Sequence, residues 1–307
     1  MTQDQLDAWR PRSVRGAADQ LVAAGLMAAP DAVAWAQAQL DRLLADGVAT
    51  PLHRLSTIRS GGRDECVGHL WTWIRPGEGD AEAFLMDVEI TPEHRGRGLG
   101  RAAVVAAEQE AAGLGATVVR LNVYTHNRAA VRLYEGLGYL PTGMTVTRRL
   151  DAGAPDAGAG VDGAPVVTVG ALTEADRSSL TRAGVHPDAL LPVGPTSAGH
   201  RLWTARDLAG QPVAVVRLLV TERSDGRHVV GRRLEVVAGR RREGLGRAVV
   251  RVVEERCVAG GIRSVTMTLE EPTAAARALA DRCGYRVAAR TLARRLTGPG
   301  AGGFATT

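Results

Sequence analysis

The chain has 307 residues, long enough for two domains that each bury a core. Hydrophobic residues make up 45% and charged residues 23%, an ordinary globular mix whose short, charge-interrupted apolar stretches exclude a transmembrane helix. The net charge of +5 is scattered and lacks the aromatic interleaving of a nucleic-acid platform, so nucleic acid and membrane are set aside as partners in favour of a polyanionic small molecule.

The first fifteen residues contain Asp4, Asp7, Arg10 and Arg12 and no apolar run, so no secretory leader is expected. Cys66, Cys257 and Cys283 are too few and too far apart for a disulfide framework or a metal site, and fit reduced thiols. A cytoplasmic protein without a bound metal, monomeric or homodimeric, is the expectation. Further along, Pro30-Asp31 opens a helix with Val33, Ala36, Leu40, Leu43 and Leu44 at helical spacing. Val67 to Ile74 and Ala83 to Ile90 read as strands, Leu99 to about Gly113 as a helix, and Val118 to Tyr124 as a strand. Asn127 then opens a short helix that ends near Gly138. The order helix, helix, strands, helix, strand, helix, strand predicts a mixed α/β arrangement.

The same text then returns. Arg95-Gly96-Arg97-Gly98-Leu99-Gly100-Arg101 is answered by Arg241-Arg242-Glu243-Gly244-Leu245-Gly246-Arg247. The same spacing carries Gly138-Tyr139 onto Gly284-Tyr285, and Thr145 to Leu150 onto Thr291 to Leu296. A period this long is a whole domain, so the fold is predicted to occur twice, over 1–150 and 166–296. Residues 151–165, rich in Gly, Ala, Asp and Pro, read as a flexible linker, and 297–307 as a disordered tail. In the second copy Val213 to Val220, Arg232 to Val237 and Ser264 to Leu269 are the expected strands.

The run Arg95 to Arg101 lies between a strand and a helix. Main-chain N–H groups at such a junction, made accessible by Gly96, Gly98 and Gly100, form an anion cradle at the positive end of the helix dipole, with Arg95, Arg97 and Arg101 adding charge. A Rossmann dinucleotide site fails on spacing, and no acid ends the next strand to hold a ribose. The second element, Asn127-Arg128-Ala129-Ala130-Val131-Arg132-Leu133-Tyr134 closing on Gly138-Tyr139, follows shortly after. Together the two elements closely resemble the GNAT-type acyl-CoA N-acyltransferases: Arg95, Gly98 and Gly100 match the first half of that family's pattern, and Asn127, Ala130, Leu133, Tyr134, Gly138 and Tyr139 the second. The resemblance covers about 50–150 and, more weakly, 166–296.

The resemblance implies two tandem GNAT-like domains of mixed α/β fold, acetyl-CoA as co-substrate, and a primary amine as acceptor. It implies a pyrophosphate on Arg95, Gly96, Arg97, Gly98, Leu99, Gly100 and Arg101, and a pantetheine arm along Val88, Glu89 and Ile90. Tyr134 falls at the family's general-acid position, with Asn127 placed either to contact the CoA moiety or to cap its helix. Asp87 and Glu89 alternate with Met86, Val88 and Ile90, which aims both carboxylates at one face, and either could draw the proton from an ammonium directly or through water. His126 is a third candidate base. Some relatives carry a glutamate base where Asn122 stands, and an amide cannot serve. Trp71 and Trp73 share a strand face that by resemblance borders the acceptor, with core packing expected for at least one. Eight of the eleven aromatic residues precede residue 150, which equips the first copy better for an organic acceptor.

The second copy keeps Arg241, Gly244 and Gly246 but has Thr273, Ala280 and Arg233 where the first has Asn127, Tyr134 and Asp87. Alanine has no proton to give, so a degenerate second domain is predicted. A CoA-responsive binding protein without catalysis is the alternative, and Tyr134 speaks for the enzyme. Mycothiol synthases also carry two copies, but their intact half is the C-terminal one, which speaks against the same reaction here.

Overall fold

The computed structural model describes residues 1–60, 65–75, 81–150, 165–190, 199–270 and 272–296. The linker and the tail expected at 151–165 and 297–307 lie outside them, Pro165 excepted. The chain forms two compact units, one of Met1–Gly143 with the residues from Ala289 onward, the other of Met144–Ala288.

Unit 1 opens on α1 (Gln3–Ala23), begun by a capping box in which Thr2 and Gln5 satisfy each other's main-chain N–H groups. It packs on α2 (Ala29–Leu43), whose Pro30 occupies the first turn, where no N–H is needed. The buried stripe of α2 is Ala32, Ala36 and Leu40, joined by Leu44 just beyond its end, while Val33, expected on that stripe, is exposed. The face turned inward follows a strict four-residue step, which leaves Val33 one helical position out. Strands β1 (His53–Arg59), β2 (Cys66–Arg75) and β3 (Ala81–Ile90) pair antiparallel in succession. A crossover through α3 (Leu99–Gly113) returns the chain as β4 (Ala116–Tyr124), parallel to β3. The helix α4 (Arg128–Gly136) follows.

Adjacent residues on each strand go to opposite sides, as the pleat requires. Leu70, Leu85 and Val123 enter a core with Val104 and Ala107 of α3 and Tyr134 of α4. Their neighbours Trp71, Met86 and Tyr124 enter another with Leu6 and Trp9 of α1 and Leu40 of α2. The sheet of unit 1 is therefore covered on both faces, by α3 and α4 on one and α1 and α2 on the other.

Each copy of the repeat donates its last strand to the other unit. The first copy ends in β5 (Leu140–Arg149), the second in β11 (Arg286–Arg295). Residues Ala289–Arg295 of β11 lie antiparallel against β4 in unit 1, with Thr291 opposite Asn122. The residues of β5 from Met144 lie beside β10 (Ile262–Glu270) in unit 2, where Thr147 and Thr266 share a hydrogen bond of 2.9 Å. The exchange is pinned by matching ion pairs: Arg294 reaches the buried Glu108 of α3 at 2.7 Å, and Arg148 reaches the buried Glu254 of α6 (Leu245–Ala259) at 2.7 Å. The repeat boundaries read from the sequence, 1–150 and 166–296, thus differ from the boundaries of the compact units.

Unit 2 adds β6 (Thr168–Ala171), α5 (Glu174–Arg182), β7 (His200–Arg206), β8 (Pro212–Arg223), β9 (Gly226–Val236) and α7 (Ala274–Arg282). It opens on a strand followed by one α-helix where unit 1 has two helices, so the second copy does not repeat the order expected for it. Its core gathers Val216, Leu218, Val229, Val249, Val253 and Val265 between sheet and α6.

Candidate active site

Beyond Ile90 the chain makes a short turn at Pro92–His94 and enters the glycine loop. Gly96 and Gly98 have φ of 75° and 79°, a left-handed backbone that favours glycine, and nothing stands within 4 Å of where a Cβ would be on either. Gly98 begins α3 without any side-chain cap, so the first main-chain N–H groups of the helix point outward unsatisfied. The arginines brace this cradle: Arg95 Nε donates to the Ile90 carbonyl at 2.9 Å, Arg97 to Glu93 at 3.0 Å, and Arg101 to Gly136 at 3.1 Å. A Cβ on Gly100 would already be in van der Waals contact with Leu133 of α4 at 3.7 Å and Ile90 at 3.8 Å, so the small residue lets α3 lie close beside α4. Pyrophosphate fits such a loop through amide donors, dipole and nearby guanidinium charge together. Gly98→Val forces a branched residue into the left-handed region at a cost of about 1–2 kcal/mol. The KM for acetyl-CoA should rise about tenfold with kcat little altered, as steady-state kinetics would show.

Next to the loop, β3 and β4 part company. Their parallel pairing ends at Leu85 opposite Leu121, and a bulge in β3 falls at the same level, across from Trp71 and Thr72. From Met86 to Ile90 β3 follows β2, while Asn122 to Tyr124 follow β11. A wedge opens, and beyond Leu85 the β4-facing edge of β3 has no strand beside it among the described residues: there the Val88 N–H turns to the Asp87 carboxylate and the Ile90 carbonyl accepts from Arg95. An extended amide-bearing arm matches that edge.

Asp87 leaves the bulge in register with Trp71. Burial and the neighbouring Glu89 carboxylate push its carboxyl up to about 7, against a smaller pull from the Val88 N–H. Tyr134, buried on α4 and packed edge-on against Tyr139 at 5.6 Å, is pushed up to about 12 by burial and then by Asp87. The bulge and α4 thus place a carboxyl raised to about 7 close enough to a phenol raised to about 12 for the first to push on the second. Glu89 stands opposite His69, a buried residue whose Nδ1 has no partner and whose pKa burial, and then Arg12, push below the usual imidazole value. Sequence reading missed His69, although it shares the alternation that singled out Trp71 and Trp73.

Asn127 caps α4, accepting from the Ala130 N–H at 3.2 Å. His126 stacks on Tyr124 with ring centroids 5.7 Å apart. The Asn122 amide oxygen accepts from the Thr291 hydroxyl at 2.9 Å. Trp71 is a core residue whose indole N–H donates to His53 Nδ1 at 2.9 Å, whereas Trp73, stacked on His53, is half-buried. A cavity of about 420 Å³ lies there, walled by Trp35, Trp71, Trp73, Phe84, Met86 and Asn122. Met86 on its wall is the chain neighbour of Asp87 at the bulge.

In unit 2 the frame persists while the side chains at the matching positions differ. Gly244 keeps its left-handed φ of 77°, Arg241 still braces the preceding strand through the Val236 carbonyl, and Thr273 caps α7. Pairing of β9 with β10 ends at Val229 opposite Val265. Ala280 and Arg233 occupy the positions of Tyr134 and Asp87.

A model of the acetyltransferase (GNAT) family matches residues 21–139 and again 176–285. The chain is 32% identical over 133 residues to the uncharacterized N-acetyltransferase YycN of Bacillus subtilis, covering 43% of the chain and 85% of that relative. It is 41% identical over 78 residues to a mycothiol acetyltransferase of Kocuria rhizophila, a match limited to 25% of the chain and 26% of that protein. A GCN5-related N-acetyltransferase of Sphaerobacter thermophilus shares the fold with a TM-score of 0.54 at 18% identity, over 95% of this chain and 94% of that one. Among the described residues no helix is long and apolar enough to cross a membrane.

Proposed function

Since the chain belongs to the acetyltransferase (GNAT) family and is an acyl-CoA-dependent N-acyltransferase, we propose that it acetylates, in unit 1, a primary amine carried on an apolar or aromatic body. The observation that carries this is the pairing of Asp87 with Tyr134 across the wedge between β3 and β4, set against Arg233 and Ala280 in unit 2.

When bound, acetyl-CoA supplies an acyl group activated as a thioester. The glycine loop holds phosphate, and the open edge of Val88 to Ile90 holds the arm above the wedge. An amine with a pKa near about 10 arrives as an ammonium ion and must lose a proton before it can attack. Asp87, half-buried and charged above about pH 7, takes that proton at its carboxylate, directly or through water. Glu89 keeps the neighbourhood negative and draws the cation in. Tyr134 holds its phenolic proton up to about pH 12 and presents it to the departing sulfur.

The acceptor class follows from the cavity beside the bulge. Trp35, Trp73, Phe84 and Met86 offer flat or apolar surface, and the nearest charged lining residue, Arg42, repels a second positive charge. Acetyl-CoA turnover with 2-phenylethylamine should exceed that with spermidine or an aminoglycoside by about tenfold or more in kcat/KM. Comparable or better turnover of the polycations would rule out this acceptor class.

A further inference from the structure

The cleft of unit 2 is not a blank copy of the catalytic one. It encloses about 650 Å³ with an apolar lining that includes Leu219, Leu234, Met267 and Leu279. Across it Arg217 and Arg233 are direct partners in the β8–β9 register, on one face of the sheet. Like charges placed directly opposite each other are destabilising, yet no carboxylate among the described residues forms an ion pair with either. Arg217 donates one terminal N–H to the Leu190 carbonyl at 2.6 Å, while its Nε is buried and has no partner. Arg233 is exposed and unbonded. Deeper in, Arg232 and Arg148 share the single carboxylate of Glu254, which leaves a surplus of positive charge. Glu270, the one acid on the lining, is exposed at the rim.

The glycine loop of unit 2 has moved away from phosphate. Pro165 Cδ lies 3.3 Å from the Cβ position of Gly244, whereas nothing stands within 4 Å of the matching position on Gly98. Glu243 adds a carboxylate within the loop, tied to Arg240 at 2.8 Å. The cradle is therefore partly covered and carries an acid, while the far end of the cleft has gained two guanidinium groups.

We propose that the unit 2 cleft binds an organic carboxylate with an apolar body, its carboxylate gripped between Arg217 and Arg233 and its hydrocarbon part lying on Leu219, Leu234, Met267 and Leu279. Guanidinium forks match a carboxylate in geometry and charge, and an acceptor there satisfies the Nε of Arg217 and screens the two cations from each other. The volume suits a ligand of drug-like size.

Calorimetric titration of the full chain with sodium octanoate is the test. An Arg233-dependent site is expected, with neutral octanamide binding about tenfold or more weakly because the charged acceptor is gone. Arg233→Gln changes an exposed side chain and should weaken octanoate about tenfold or more, with acetyl transfer unaltered. Arg217→Gln should do the same, and a circular dichroism spectrum matching the parent would exclude misfolding. No heat with octanoate, equal binding of octanamide, or octanoate binding insensitive to Arg233→Gln would each overturn the proposal. So would competition for the Arg233-dependent site by inorganic phosphate or by acetyl-CoA, which would make it a phosphate site.

Discussion

Tyr134→Phe should lower kcat about a hundredfold or more while the Kd for acetyl-CoA moves by less than about twofold. The substitution removes one oxygen and keeps the ring, so the edge-on packing with Tyr139 and the buried position on α4 survive. What is lost is a proton beside the departing sulfur. The second copy has only Ala280 at the matching position. Rapid-mixing or steady-state assays combined with direct binding of acetyl-CoA separate the two parameters. A variant with full kcat would remove Tyr134 from the chemistry.

Asp87→Asn should cost a similar factor, about a hundredfold or more in kcat/KM, and in addition change the shape of the pH profile. In the parent the carboxyl titrates at about 7, so activity should climb with pH and level off above that value. The asparagine variant should lack that limb and follow only the amine's own ionisation. The same shift has a consequence for folding. A carboxyl at about 7 in the folded chain and 3.8 in its ordinary state binds more protons folded than unfolded between those values, so its contribution to stability falls as pH rises through that window. Above pH 7 the ionised carboxylate is a burden, and Asp87→Asn should stabilise the protein by about 1–3 kcal/mol at pH 8 and by nothing at pH 3. Thermal or urea unfolding at the two pH values measures this. A variant that is both less active and less stable at pH 8 would contradict the assignment of the raised carboxyl.

Most elements of the fold could be read from the residues because their signals are local. The Leu99–Gly113 helix follows a glycine loop and ends at Gly115, and the Ala83–Ile90 strand alternates apolar and acidic side chains. The exchanged strands could not be read in the same way. Thr145 to Leu150 and Thr291 to Leu296 share Thr, Arg-Arg and Leu at matching positions, so the local pattern does not announce which unit each strand joins. The opening of the second copy was misjudged for a related reason: Thr168–Ala171 is four residues long and shows little periodicity. At the site, the motif located Tyr134 and the loop, and alternation located Asp87. His69 escaped because a histidine between leucine and glycine gives no charge pattern, and only the register shows it opposite Glu89.

The donation of Ala289–Arg295 to the sheet of unit 1 ties the fate of the two halves of the gene together. A coding sequence cut after residue 150 would yield a fragment whose β4 has an open edge and whose own last strand has lost its berth, a recipe for aggregation rather than for a smaller enzyme. Mutation is therefore free to rework the cleft around Ala280, but a stop codon ahead of Ala289 takes a strand from the sheet of unit 1 as well. Duplication here works as a ratchet: once the terminal strands had traded places, either half could drift in its cleft but neither could be discarded.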